Sequence, residues 1–302
     1  VNLLLSILAS DILPIFAIAA AGFLLARYAS VDVKIVSRLV FFCLMPCLAF
    51  RMLITSTATG PNVGRLMILS VLIMLCMGIV GYFAAKPFGL DGPPRRAFLM
   101  VVMFSNSGNY GLPVVQFAFG PEALTYGTIL FLSSSVTTYV ASAFFAGSQR
   151  GQILGALDKI WRMPSLYGVA IAFVVLAVGY PVPDGVMRPI AMLSDAALPV
   201  MILVLGMQLE RAAWPKRPAV VLWAVAISLL VAPLIAIGLT SILGITGPAQ
   251  QAAVILSSMP VAVVTTILAL EFGLAPDFVT ASVFVSTLAS PLTLVPLIAY
   301  LK

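Results

Sequence analysis

The chain has 302 residues, 62% of them hydrophobic and 9% charged, against roughly a quarter charged in an ordinary soluble domain; this composition predicts an integral, all-α membrane protein. The formal charge of +6 comes from 16 Lys and Arg against 10 Asp and Glu, spread thinly between apolar blocks, so no basic stripe awaits a nucleic acid and the charge reads as a topology signal. The sequence contains no histidine and no GxxxxGK[ST] loop, which argues against imidazole proton relays, HExxH zinc chemistry and ATP-driven pumping by this chain alone.

Crossing the bilayer core takes about twenty apolar residues, and Gly, Pro and charge divide the chain into ten such segments. The predicted spans are 3–26, 35–54, 66–86, 96–119, 123–146, 164–181, 188–209, 218–243, 249–272 and 277–301. The first lacks a basic leader and a small-residue cleavage site, so it is expected to be a retained helix rather than a signal peptide. Asp11 within it is expected at the outer interface. In the second segment Cys43 and Cys47 share a helical face, but a structural zinc site takes four ligands. They read as packing residues, and neither a metal nor a cofactor is expected.

The fourth segment carries the most informative stretch, Ser105-Asn106-Ser107-Gly108-Asn109-Tyr110-Gly111-Leu112-Pro113, between the apolar runs 97–103 and 114–119. Pro113 removes an amide donor and crowds the carbonyl four residues back, and the glycines favour unwound backbone. Such a break in hydrocarbon leaves polar groups that protein, water or a bound solute must satisfy. After the fifth segment a short linker at 147–160 joins the two halves. The seventh holds Asp195, read as a proton site, a partner for Arg51 or a residue facing an outer vestibule. Glu122, Glu210, Glu271 and Asp277 fall at predicted membrane ends and read as solvated caps. The ninth segment contains a second interruption, Ser257-Ser258-Met259-Pro260.

With the N-terminus outside, the inner loops hold Arg27, Lys34, Arg38, Lys86, Arg95, Arg96, Arg150, Lys159, Arg162, Arg211, Lys216 and Arg217; the outer side holds Arg51, Arg65, Arg188 and Lys302. This positive-inside bias places both termini on the non-cytoplasmic side. Prolines repeat at near-constant offsets: Pro14 and Pro164, Pro46 and Pro199, Pro113 and Pro260 lie 150, 153 and 147 residues apart. Two five-segment halves follow, 1–148 and 149–302, and because five is odd the second is inverted. Two broken helices in corresponding positions are the sequence pointer to a transporter's central site. Their second halves are expected to begin near Tyr110 and Val261, and each helix start carries roughly half a positive charge. Asn106 and Asn109 add carboxamide donors, so the natural guest is an anion.

The run from Asn106 to Pro113 resembles the fourth-helix signature of the auxin efflux carrier family, whose bacterial members include malate and malonate permeases and whose plant PIN members export auxin. The resemblance covers essentially the whole chain, including Pro46 and the break before Pro260. It implies an elevator-type secondary transporter of organic carboxylates in the bacterial inner membrane, working as a homodimer. Segments 1, 2, 6 and 7 would form a scaffold, and 3–5 with 8–10 the moving transport domain, with segments 4 and 9 as crossover helices. Binding residues carry over at Asn106, Asn109 and Pro113, and at Pro260 with its neighbours. The candidate substrate-binding set is therefore Asn106, Gly108, Asn109, Tyr110, Pro113, Ser257, Ser258, Pro260 and Val261. Asp195 is the candidate coupling residue for a proton or sodium ion.

Other classes compete. Sodium/proton antiporters and bile-acid symporters share a related crossed-helix plan but rely on acids near the crossing, and these breaks contain none. A membrane enzyme using Ser105, Ser257 or Ser258 as nucleophile would lack a histidine or neighbouring lysine as activating base. A receptor or a channel could also use the breaks, to line a sensing pocket or a pore.

Overall fold

The computed structural model describes residues 2–55, 60–146, 161–179, 181–210 and 215–302. The linker predicted at 147–160, with Arg150, Lys159 and the boundary between the halves, lies outside the described residues, as does Arg211. Among the described residues every regular element is helical. In chain order these are α1 (Asn2–Tyr28), α2 (Val33–Ile54), α3 (Gly60–Ala84), α4 (Gly92–Met103), α5 (Leu112–Ala146) and α6 (Pro164–Val178), followed by α7 (Asp184–Leu209), α8 (Pro218–Ile242), α9 (Gly247–Ser257), α10 (Val264–Phe272), α11 (Pro276–Ala289) and α12 (Pro291–Leu301). Among the described residues five helices are long and apolar enough to cross a membrane, or six if α11 and α12, bent by 49°, count as one. The segments predicted at 96–119 and 249–272 are each divided by non-helical backbone, and α6 reaches only 15 residues.

Proline and glycine interrupt these helices in different ways. In α1, α2 and α8 the turn before Pro14, Pro46 and Pro233 widens into a π turn, at Leu8–Ile12, Val40–Leu44 and Ile227–Val231. The backbone N–H of Leu13 reaches Leu8 and that of Met45 reaches Val40. A ring that blocks the usual four-residue register is thus absorbed by a five-residue one, and the helix continues. Between the predicted fourth and fifth segments, by contrast, Gly120 takes φ 81° and ψ −168° inside α5. This left-handed, non-helical step suits glycine and parts 112–119 from 121–146.

Packing is tightest where small residues let backbones touch. Helices α1 and α7 cross at Gly22 and Gly206, where an added Cβ would sit 2.1 Å from the Leu203 carbonyl oxygen and 1.7 Å from that of Ala19. Helices α2 and α6 meet at Gly168, whose Cβ would lie 2.6 Å from the Pro46 oxygen. In lipid, where apolar side chains gain nothing by leaving the solvent, such close approach is what binds helices. Helices α1, α2, α6 and α7 pack mainly on one another, whereas α3, α4, α5 and α8 to α11 form a second network of contacts.

The acid that departs most from the sequence expectation is Asp11. Asp11 is buried, with 7% of its side chain exposed, and it pairs with Lys302 at 2.6 Å, tying α1 to the end of α12. Its π turn rotates this side chain inward, which nearness to the terminus alone does not reveal. Asp195 is 71% exposed and pairs with Arg51, so of the readings open for it the structure contains the arginine partnership. Glu210 pairs with Arg27 with 20% of its side chain exposed, while Asp277, 62% exposed in the first turn of α11 as a solvated cap would be, pairs with Lys216. Removing one member of a buried pair strands the other, at about 3 kcal/mol or more. Lys302→Met is therefore expected to lower the thermal unfolding temperature in detergent more than Asp11→Asn, which leaves no buried charge.

Candidate functional site

The two interruptions predicted from sequence meet. Phe104, Ser105 and Asn106 leave the helix after α4, and 258–263 separate α9 from α10. Ser105 and Val261 form an isolated antiparallel bridge, flanked by hydrogen bonds from Asn106 N–H to the Pro260 carbonyl (2.7 Å) and from Ala262 N–H to the Phe104 carbonyl (2.8 Å). Each break thus satisfies part of the other's exposed backbone, as hydrocarbon requires. The Ser105 hydroxyl adds a bond to the Leu256 carbonyl at 3.2 Å.

The helix restarts are displaced from expectation in opposite directions. After the first break the chain turns at once into a π turn, Ser107–Gly111, with Asn106 at its head and Gly111 N–H donating to the Asn106 carbonyl at 3.0 Å. The second restart comes at Val264 rather than Val261. Val261 is extended, and its N–H donates to the Ser286 hydroxyl at 3.1 Å, so it is not one of the free amides expected there. Glycine permits the first turn: a Cβ on Gly108 would lie 2.7 Å from the Phe131 ring, and one on Gly111 2.5 Å from Leu256.

A cavity of about 910 Å³ opens beside the paired breaks. Of the predicted site residues, Asn106, Gly108, Asn109 and Ser257 line it, together with Ser105 and Ser107. Tyr110, Pro113, Ser258, Pro260 and Val261 do not. Tyr110 is fully buried, its hydroxyl at 3.1 Å from Ser290 and its ring edge-on to Phe16. Ser258 bonds back to the Val254 carbonyl, and the Pro260 carbonyl is occupied by Asn106. All five are buried, and Ser258, Pro260 and Val261 are themselves part of the second break. Asp195 is absent from the lining.

Other lining residues were not singled out from sequence. Lys34 and Arg38, one turn apart on α2, face the cavity, as do Phe41 and Phe42. Ser134, Ser135 and Thr138 contribute hydroxyls from α5; the run Ser133-Ser134-Ser135 inside an apolar span was the signal that could have found them. Gln208 of α7 lines the wall with its Oε1 buried and unpartnered. Arg162 and Glu271 also line it, both engaged by other groups; Glu271 was expected as a solvated cap. Most telling is Asn106 Nδ2, a buried donor without a hydrogen-bond partner, on a residue 6% exposed. An unmade bond at such a donor is costly, and what it lacks is an acceptor.

A family model described as "Membrane transport protein" matches residues 7–298. The chain belongs to this family, that of the auxin efflux carriers. It is similar, at 26% identity over 277 residues, to an uncharacterized transporter of Methanocaldococcus jannaschii, covering 86% of this chain and 87% of that one. An uncharacterized transporter of Methanothermobacter thermautotrophicus is likewise 26% identical over 283 residues, 87% of each chain. Membership in this family of auxin efflux carriers, joined to several apolar helices, makes the chain an integral membrane protein of a transporter family rather than an enzymatic one.

Proposed function

We propose that this protein is a secondary transporter that carries an organic carboxylate anion across the cytoplasmic membrane by alternating access. The observation that carries the reading is the unpartnered, buried Asn106 Nδ2 on the wall of the cavity, beside the paired breaks. A carboxylate supplies the missing acceptor, and it gains from carboxamide donors and from a helix start without needing a fixed cation. No Lys or Arg lies within either break. A cation in that position would hold the guest more tightly but would be costly to leave empty. Moderate affinity and ready release suit a carrier.

In this reading the ten predicted segments are ten spans in two inverted repeats, and α4 to the first part of α5 and α9 to α10 are the two crossover helices. The separation of packing into α1, α2, α6, α7 and a network of α3, α4, α5 and α8 to α11 supports a scaffold and a transport body that move as an elevator. Both termini lie on the non-cytoplasmic side, and the carrier is a homodimer. Lys34, Arg38 and Arg162, assigned to the inner side by the charge bias, share the cavity with the breaks, which supports an inward-open state with a basic mouth that gathers anions. A monoanion leaving a negative-inside cell gains about 2.3 kcal/mol per 100 mV, so export needs no coupled ion, and the reading gives Asp195 no coupling role.

Proteoliposomes loaded with malonate, malate or indole-3-acetate test the proposal. Saturable uptake of the labelled compound, accelerated by the same compound inside, is expected for at least one of the three. Ohmic flux would mark a channel, and product formation an enzyme. Cys43→Ala should leave the flux unchanged, since Cys43 packs within α2 and lies outside the cavity lining.

A further inference from the structure

We infer that Ser286 and Ser290 are positioning residues which hold the two breaks in register from one face of the tenth segment. The two are four residues apart, so their side chains lie on the same side of the helix, about 6 Å along its axis. Both are fully buried, as are the groups they touch, Val261 and Tyr110. The Ser286 hydroxyl donates to the Val283 carbonyl at 3.1 Å and accepts the Val261 N–H at 3.1 Å. The Ser290 hydroxyl donates to the Thr287 carbonyl at 2.8 Å. Its proton being spent there, it receives that of Tyr110, at 3.1 Å. One serine thus secures the second break, and the other secures the turn that restarts the helix after the first.

A membrane-helix serine commonly satisfies itself by bonding back to a carbonyl three or four residues earlier. These two do so and then spend a remaining lone pair on a group from elsewhere. Val261 shows why this matters. In an antiparallel pairing, successive N–H groups point to opposite sides; those of Asn106 and Ala262 are taken by the facing break, and that of Val261 points away from it. Ser286 gives it the acceptor that a third strand would otherwise provide. Because Ser105, next to Asn106, is bridged to Val261, the Asn106 carboxamide is held through the same contact. The bend of 49° between α11 and α12 falls at Ser290, so the tenth segment and both breaks form one connected unit.

The inference rests on the proposed transport site for its flux arm only. Hydrogen–deuterium exchange in lipid nanodiscs gives an arm that needs no substrate. Ser286→Ala should speed exchange in the peptide covering 258–263 by about tenfold, the factor set by one hydrogen bond of ordinary worth. Ser286→Thr, which keeps the hydroxyl, should restore the wild-type rate, and Tyr110→Phe should speed exchange at 107–112. In the flux assay with malonate, malate or indole-3-acetate, Ser286→Ala should raise the half-saturation concentration by about tenfold with the maximal rate little changed, and Ser286→Thr should reverse this. Unchanged exchange in Ser286→Ala, or a threonine variant no better than alanine, overturns the inference. Faster exchange with an unchanged half-saturation concentration overturns it too, because the hydroxyl would then shape the fold without positioning the site. If the wild type moves none of the three probes, the transport reading fails by itself and the exchange result still decides this one.

Discussion

Asn106→Ala is expected to weaken carboxylate binding ten- to a hundredfold, about what loss of a charge-assisted hydrogen bond from a buried site removes, while the protein stays folded and extractable. The side chain contributes little to the fold: its Nδ2 has no partner, and the bonds that fix the break run through its backbone N–H and carbonyl. Alanine keeps both. Asn109→Ala should act in the same direction, because its carboxamide lines the same cavity. Loss of saturable flux with a normal gel-filtration profile is the measurement. A variant that transports normally would remove Asn106 from the site.

Gly206→Leu is expected to have the largest effect on stability. Any Cβ at this position meets the Ala19 carbonyl oxygen at 1.7 Å, and the obstacle is backbone, which cannot rotate away. The reciprocal contact of Gly22 with Leu203 means that separating α1 from α7 at one glycine also opens the other. Overpacking of this kind costs on the order of 3 kcal/mol, and in lipid no hydrophobic gain between helices offsets it. Loss of monodisperse protein after extraction is the expected readout, and Gly206→Ala should show a milder form of it. By contrast Gly64→Ala, where an added Cβ meets nothing within 4 Å, should behave as wild type.

The breaks were legible in the sequence because their residue types act locally. Two carboxamides, two glycines and a proline within a single apolar run cannot continue as a smooth helix, whatever surrounds them. Their boundaries were less legible. Pro113 is preceded by a π turn, as Pro14 and Pro46 are, so the proline widened the helix and the unwound stretch moved upstream to Phe104–Asn106. Whether a proline breaks a helix or merely widens it depends on what satisfies the freed carbonyls, and that is a tertiary matter.

Side-chain direction was the second limit. Asp11, expected at the interface, is buried because position along a segment says little about which way a carboxylate faces, and a π turn at Leu8–Ile12 shifts the face of everything around it. Tyr110 directly follows the cavity-lining stretch 105–109 in sequence, yet it points to Phe16 and Ser290. Lys34 and Arg38 were read as topology signals only. Their place on the cavity wall comes from how α2 packs against the rest of the bundle, which spacing along the chain does not encode. Ser286 and Ser290 carry no sequence signal, since serines in such helices mostly bond to their own backbone.

Saturation binding of labelled malonate, malate and indole-3-acetate to the purified protein, wild type beside Asn106→Ala, tests the central claim most directly. The account predicts saturable binding of at least one carboxylate to the wild type and at least tenfold weaker binding to the variant. Equal affinity in the two proteins would contradict it.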